Sequence, residues 1–476
     1  MEAVYPGQCA VSVEHDQGVM EAGLFRFLRF SLGLEGEAKG LLDGRKGSFD
    51  WDACYQFAKR QTLVGVLFDG IQRLPKELAP ARPLLLRWLS DSESIRRRNM
   101  RIDRASAYIY NKVCAAGFRC CILKGQGNAL LYPHPSSRTP GDVDVWVMAN
   151  REELRHIALS LTEGDGSSLQ ESLNHIGLTV HGVSMELHST PALLNSPLHN
   201  SRLQKWLKRN ADLQCSNRIA LPNNAGEVAV PTLSFNIIYQ LCHLFHHCFY
   251  EGVGLRQIVD YYFVLMNTDF SGNTDEASGN TDEGCLFLNT DFTDFTDKVS
   301  GNTDEDGVLS NTDFTDNTDR IGGNAESDGS LMNTDCTDFL DSSSGGLGEV
   351  DSGGALVALQ EELKWLGLGE FAGAVMYVLR EVMGLDEKRM ICAPDERRGR
   401  LLLEEIMAGG NFGHYDTRNH FGQGALWHNI QRFRRDWRLL RFYPSEALSE
   451  PLFRAWHFLW RWKQKHIGMP KERNLN

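Results

Sequence analysis

Among its eleven cysteines the 476-residue chain has no Cys-x-x-Cys pair and no regular spacing. That excludes a zinc ribbon and a small disulfide scaffold, and free thiols in a reducing compartment fit best. No uninterrupted apolar run is long enough to span a bilayer. The opening residues, MEAVYPGQCAVSVEHDQG, carry no basic segment leading into an apolar one, so no secretory leader is expected and a cytoplasmic location follows. Basic charge also looks scarce, since the formal net charge is −13. One segment dominates that figure. Residues 267–354 hold 21 Asp and Glu against 2 Lys and Arg, a net of −19, which leaves 41 acids against 47 bases elsewhere, a net of +6. The remainder is mildly basic, as suits a protein that handles phosphate-bearing ligands. Its length leaves room for two or three domains and an ample core.

The acidic segment repeats Asn-Thr-Asp eight times, mixed with Phe-Thr-Asp and Ser-Gly. Such a segment cannot bury enough apolar area to offset its ordering entropy, so a disordered insertion is expected, looping out between two helices. A calcium-binding repeat fits poorly. In DFTDNTD the acids recur every three residues, without the two-residue alternation or the bend glycine of an EF-hand loop.

Most of the chemistry lies between Cys121 and Val147, CILKGQGNALLYPHPSSRTPGDVDVWV. An apolar run, Cys120 to Leu123, breaks at Lys124-Gly125-Gln126-Gly127. A short helical segment, Asn128 to Tyr132, follows, and a Pro/Ser loop carrying Arg138 leads to Asp142-Val-Asp144-Val-Trp-Val147. Alternation there sends Asp142 and Asp144 to one face of a strand and Val143, Val145 and Val147 to the other. Two carboxylates side by side repel unless a cation sits between them, and oxygen ligands of this kind suit Mg²⁺. The glycines let backbone N–H groups approach a phosphate closely. Further on, a hairpin is expected from Ile176 to His181 and Val183 to His188 about a turn at Gly182. It puts Glu186 and His188 on the polar face of its second strand.

Glycine loop, spacer and Asp-x-Asp strand together resemble the polymerase-β-like nucleotidyltransferase superfamily. The string LKGQ…LYP…R…GDVDVWV resembles its branch of uncharacterised bacterial nucleotidyltransferases. The superfamily's usual Gly-Ser is here Lys124-Gly125 or Gly127-Asn128, and the gap to Asp142 is long. The resemblance implies an α+β fold, a small mixed-sheet palm embedded in a mostly helical protein. It implies transfer of a nucleoside monophosphate from a nucleoside triphosphate by in-line displacement, with Mg²⁺ or Mn²⁺ held by Asp142, Asp144 and Glu186. The triphosphate would lie over Lys124, Gly125, Gln126 and Gly127. Arg138 would offset developing charge, Arg256 would clamp the phosphates, and His188 would orient Glu186 or serve as a base. The acceptor, whether small molecule, protein or RNA, is not legible. The alternative is a catalytically degenerate member acting as a binding or scaffold protein.

The remaining pattern suggests five regions. A helical region spans 1–104, with a frayed tail to about residue 18, and the palm follows at 105–190. A first helical part at 191–266 and a second at 355–476 flank the insertion, 267–354. Residues 189–230 read as loop with a helix near 203–210. Thr232 to Tyr250 reads as a helix on which His243 and His247, four apart, share a face. Leu244 stands where a metallopeptidase would need glutamate, which counts against zinc. Arg256, Gln257 and Asp260 open a further helix, where Arg256 faces the cleft or pairs with Asp260. Helices are expected at 356–382 and 399–408, the second ending in Gly409-Gly410-Asn411-Phe412-Gly413, a turn that closes over the site or caps the helix. The run from Gln431 to Arg473 interleaves arginines with Phe433, Trp437, Trp456, Trp460 and Trp462. The structural reading packs these tryptophans into the core beneath a solvated basic face. RNA binding by stacking, or contact with an anionic membrane, are the alternatives.

Overall fold

The apolar run at 120–123 and the alternating stretches after it join into one sheet. In the computed structural model, which describes residues 20–36, 49–162, 169–268, 352–416, 418 and 425–467, the strands are β1 (Cys120–Leu123), β2 (Val143–Val147), β3 (Gln170–Glu171), β4 (His175–Val180) and β5 (Val183–His188). Their order is β1-β2-β5-β4-β3. β2 runs parallel to β5 and antiparallel to β1, while β4 and β5 form an antiparallel hairpin. At its tip His181 and Gly182 take φ of 49° and 72°, the left-handed pair that a two-residue hairpin turn requires. All residues of β1 and β2 are buried, so helices cover both faces of this part of the sheet. The small mixed sheet within a mostly helical protein is as the sequence predicted.

Helices α1 (20–31), α2 (Trp51–Arg60), α3 (Val64–Gln72) and α4 (Arg82–Ala115) precede the sheet. Asp50 caps α2 by accepting from the Ala53 N–H. α4 is one helix of 34 residues, and it runs through residue 104, the expected edge of the palm. It packs against β1 and β2. α5 (Gly125–Ala129) starts ahead of the expected 128–132. α6 (Arg151–Leu161) opens with a capping box between Asn150 and Glu153.

The stretch 189–230 is more ordered than its Pro, Asn and Ser content suggested. It holds α7 (Pro197–Ser216) and a hairpin, β6 (Arg218–Leu221) with β7 (Gly226–Ala229). α7 is polar on most positions and is held by burial of Leu203, Trp206, Leu207 and Ala211, so tertiary packing rather than local pattern stabilises it. Thr232 caps α8 (Leu233–Tyr250), and α9 (Leu255–Met266) follows, buried from residue 255 to 265. A helix buried on every side lies within the core, and its buried Arg256, Gln257 and Asp260 stand where it borders the cavity. The rest comprises α10 (Ser352–Trp365), α11 (Gly369–Met383), α12 (Glu396–Gly409), α13 (Ala425–Leu440) and α14 (Pro444–Ile467). The single helix expected at 356–382 is broken at Gly367, whose φ of 74° ends α10. The described residues belong to one compact unit. The tail expected to fray at 1–18 lies outside them, as does the insertion expected at 267–354 apart from residues 267–268 and the start of α10.

Candidate active site

Strand register assembles three carboxylates. In the parallel β2–β5 pair Asp144 stands opposite Glu186, and Asp142 immediately precedes β2 on the same side. One oxygen from each of the three lies within 4.8 Å of the others. An all-oxygen set of this kind fits a hard divalent cation such as Mg²⁺ or Mn²⁺. A second group of the same span, His175, Glu186 and His188, shares Glu186. Glu186 lies 3.2 Å from His188 Nε2 and 3.7 Å from His175 Nε2.

The electrostatics of the two aspartates differ sharply. Asp144 is buried, and its Oδ1 lies 3.0 Å from His188 Nε2 while its Oδ2 lies 3.0 Å from Lys124 Nζ. Burial alone would raise its pKa, but Lys124 and His188 outweigh that and hold the carboxyl well below the usual range. For His188 burial works to lower the pKa, yet its hydrogen bonds to Asp144 and Glu186 push it up to about 9, so the ring is charged at neutral pH. Glu186 is lowered overall, its burial being outweighed by the His188 hydrogen bond. Asp142 goes the other way: the charge of Asp144, then burial, raise its pKa. A cation between the two aspartates would relieve that repulsion, and the donor set therefore fits one.

Lys124 sits at the strand-to-helix turn with φ 49° and ψ −131°, a conformation costly for a non-glycine residue. This aims its amine at Asp144 and brings Nζ to 3.2 Å from His243 Nε2. His243 Nε2 is in turn 3.0 Å from His247 Nε2. Burial, with the charge of Lys124, keeps the His243 pKa well below its ordinary value. The i, i+4 histidine pair thus continues the polar row of the site.

Lys124, Gly125, Arg138, Asp142, Asp144, Glu186, His188 and Arg256 all border one cavity of about 680 Å³. Gln126 and Gly127 do not. The buried Gln126 amide donates to Asp103, and Gly127 packs on Val230, whose Cγ1 would be 3.2 Å from a Cβ. Arg138, expected to face developing charge, is tied up in a buried ion pair. Its Nε and Nη2 each donate to Asp260 at 2.7 Å, and Tyr132 donates to the same carboxylate at 2.7 Å. Arg256 pairs instead with a backbone group, donating from Nη1 to the Thr139 carbonyl at 3.0 Å. Among the described residues it has no carboxylate within ion-pair distance, and burial followed by the charge of Arg138 lowers its pKa. Two guanidiniums therefore share one acid at this end of the cavity. The Gly409–Gly413 turn both ends α12 and enters the wall: Asn411 and Phe412 border the cavity, and the Phe412 ring stands 5.1 Å from His247.

Several lining residues carried no legible signal. His175 reaches Glu186 only through hairpin register, and Phe453 and His457 arrive from α14; Asp260, read in the sequence only as a partner for Arg256, is instead claimed by Arg138, 122 positions away.

Residues 47–277 match a family model described as uncharacterised nucleotidyltransferase. No curated protein and no solved structure matches the chain. The matched stretch includes β1 to β5, α8 and α9, and therefore the carboxylates, Lys124, Arg256 and the paired histidines. It stops short of α10, so α10 to α14 lie outside it. Through residues 47–277, just under half of its length, the chain is similar to the uncharacterised nucleotidyltransferases.

Proposed function

We propose that the protein transfers a nucleoside monophosphate from a nucleoside triphosphate to a hydroxyl acceptor, acting in the cytoplasm. The observation that carries this reading is the register of Asp144 against Glu186, with Asp142 beside them and Arg256 bordering the same cavity. Mg²⁺ or Mn²⁺ held by the three carboxylates would neutralise phosphate charge and polarise the reacting phosphoryl group. The chain's own residues position the rest. Arg256 and Lys124 face the anionic phosphates, Lys124 as a point charge and Arg256 as a planar donor. Gly125, with φ of 40°, leaves the backbone beside Lys124 unobstructed. The acceptor hydroxyl gives up its proton to solvent in the cavity, its oxygen forms a bond to the α-phosphorus, the bond to the bridging oxygen breaks, and pyrophosphate leaves. His188, within hydrogen-bond distance of both Asp144 and Glu186, orients the two carboxylates. Arg138 acts through Asp260 to hold the loop before Asp142.

Calorimetry tests this reading. Mg²⁺ with each ribonucleoside triphosphate is titrated into wild type and into Asp142→Asn/Asp144→Asn. Metal-dependent binding that vanishes in the variant supports the site and names the donor base. A folded wild type that binds no triphosphate would sink the enzyme and leave a binding module on this scaffold.

A further inference from the structure

The last two helices wear their amphipathicity inside out. On the faces toward the protein stand acids: Asp436, Glu446 and Glu450 are 5%, 2% and 1% exposed. Glu446 accepts from the Asn195 and Ser196 N–H groups at 2.7 and 3.2 Å. The outer faces carry the apolar side chains. On α14 Leu448, Leu452, Trp456, Leu459 and Trp462 recur at steps of three and four, one stripe along the helix, and each is more than half exposed. α13 adds Phe433 and Trp437, stacked with centroids 6.3 Å apart and 58% and 68% exposed. The core position expected for the C-terminal tryptophans is therefore overturned for Trp437, Trp456 and Trp462. The core has no use for this stripe, because α14 docks through Glu446, Ala447 and Glu450. An exposed apolar surface of this extent marks an interaction site.

We propose that this face seats the protein on an anionic lipid surface. Leu448, Leu452 and Leu459 offer nothing to a nucleic acid, which needs aromatic planes and cations, whereas leucine and tryptophan together suit the boundary between headgroups and acyl chains. Charge points the same way. From Arg461 to Asn476 the sequence carries five Lys and Arg against one Glu, so the stripe runs into a basic end that complements anionic headgroups. No helix among the described residues is long and apolar enough to cross a membrane, so the contact is a surface one. On the side of α14 away from the stripe, Phe453 and His457 border the candidate active site, so one helix joins the lipid face to the cavity. The inference stands on exposure and charge alone and does not depend on the proposed chemistry.

Sedimentation of the full chain with phosphatidylcholine vesicles, with and without phosphatidylglycerol, tests it. Wild type is expected to pellet with the anionic vesicles, less as salt rises, and weakly with phosphatidylcholine alone. Leu452→Glu/Trp456→Glu should cut partitioning roughly tenfold or more. Lys463→Gln/Lys465→Gln should cut it roughly fivefold per charge, on anionic vesicles only. Circular dichroism and thermal midpoints shared with wild type certify that both variants fold. Absence of vesicle binding, or unchanged binding by Leu452→Glu/Trp456→Glu, overturns the proposal. So does a wild-type dimer in ultracentrifugation that this variant dissolves, which would assign the face to a second copy, or binding of single-stranded RNA in place of vesicles.

Discussion

Arg138 and Asp260 form a fully buried, bidentate ion pair at the wall of the cavity, with the Tyr132 hydroxyl on the same carboxylate. Breaking such a pair leaves an uncompensated charge in a dry environment. Arg138→Leu is therefore expected to destabilise the fold by about 3–5 kcal/mol in urea denaturation; unchanged stability with weakened nucleotide binding would instead make Arg138 a ligand contact. Lys124 has a more direct part. It is the foremost of the two partners that keep Asp144 ionised against its burial. Lys124→Met should move the Asp144 titration upward, toward the ordinary carboxylate range, which carbon-detected NMR on the metal-free protein would register. No movement would mean that His188 alone holds the charge.

At the scale of elements, α3 meets the loop before Asp142 without a spacer. A Cβ on Gly65 would overlap the Ser137 carbonyl oxygen, and Ser137 is the neighbour of Arg138. Gly65→Ala is expected to cost about 1–3 kcal/mol by overpacking and to weaken metal-dependent nucleotide binding by displacing Arg138; a loss of stability with binding intact would separate this contact from the site. The α13–α14 pair has its own pH signature. Burial and the neighbouring Glu450 push the Asp436 carboxyl up to about 7. The folded chain then holds a proton there that the unfolded chain releases near pH 4, so stability contributed by this group falls as pH rises from about 4 to about 7 and is level above. Asp436→Asn should flatten that stretch and leave the variant more stable than wild type at pH 8, read from denaturation midpoints across pH. An equal decline in both proteins would show that Asp436 is not the group responsible.

For the whole molecule, the cavity is a product of distant segments: Arg98 from α4, the carboxylates from β2 and β5, histidines from α8, Arg256 from α9, Phe412 after α12 and Phe453 from α14. All belong to the compact unit of residues 1–272 and 352–476. Replacing residues 273–351 with a short Gly/Ser linker should therefore leave the thermal midpoint unchanged or slightly raised and metal-dependent nucleotide affinity within about twofold of wild type, since loop length costs little. A collapse of either would mean that the acidic segment takes part in folding or in the site.

Local chemistry alone settled a good deal. Alternation in Val143–Val147 and Val183–His188 determined which side chains share a face, the His181-Gly182 pair determined the hairpin, and Asp50, Asn150 and Thr232 determined where helices begin, because each of these depends on residues within a few positions. The likeness to nucleotidyltransferases was legible for the same reason, its motif being contiguous. What only the tertiary structure decided is which partners meet. That Asp260 pairs with Arg138 while Arg256 turns to the Thr139 carbonyl, that Gln126 turns to Asp103, that α7 is ordered, and that Trp437, Trp456 and Trp462 face outward while Asp436, Glu446 and Glu450 face inward all follow from contacts between residues far apart in the chain. Burial, hydrogen-bond satisfaction and charge pairing select those contacts collectively, and no window of sequence contains both sides of the pair.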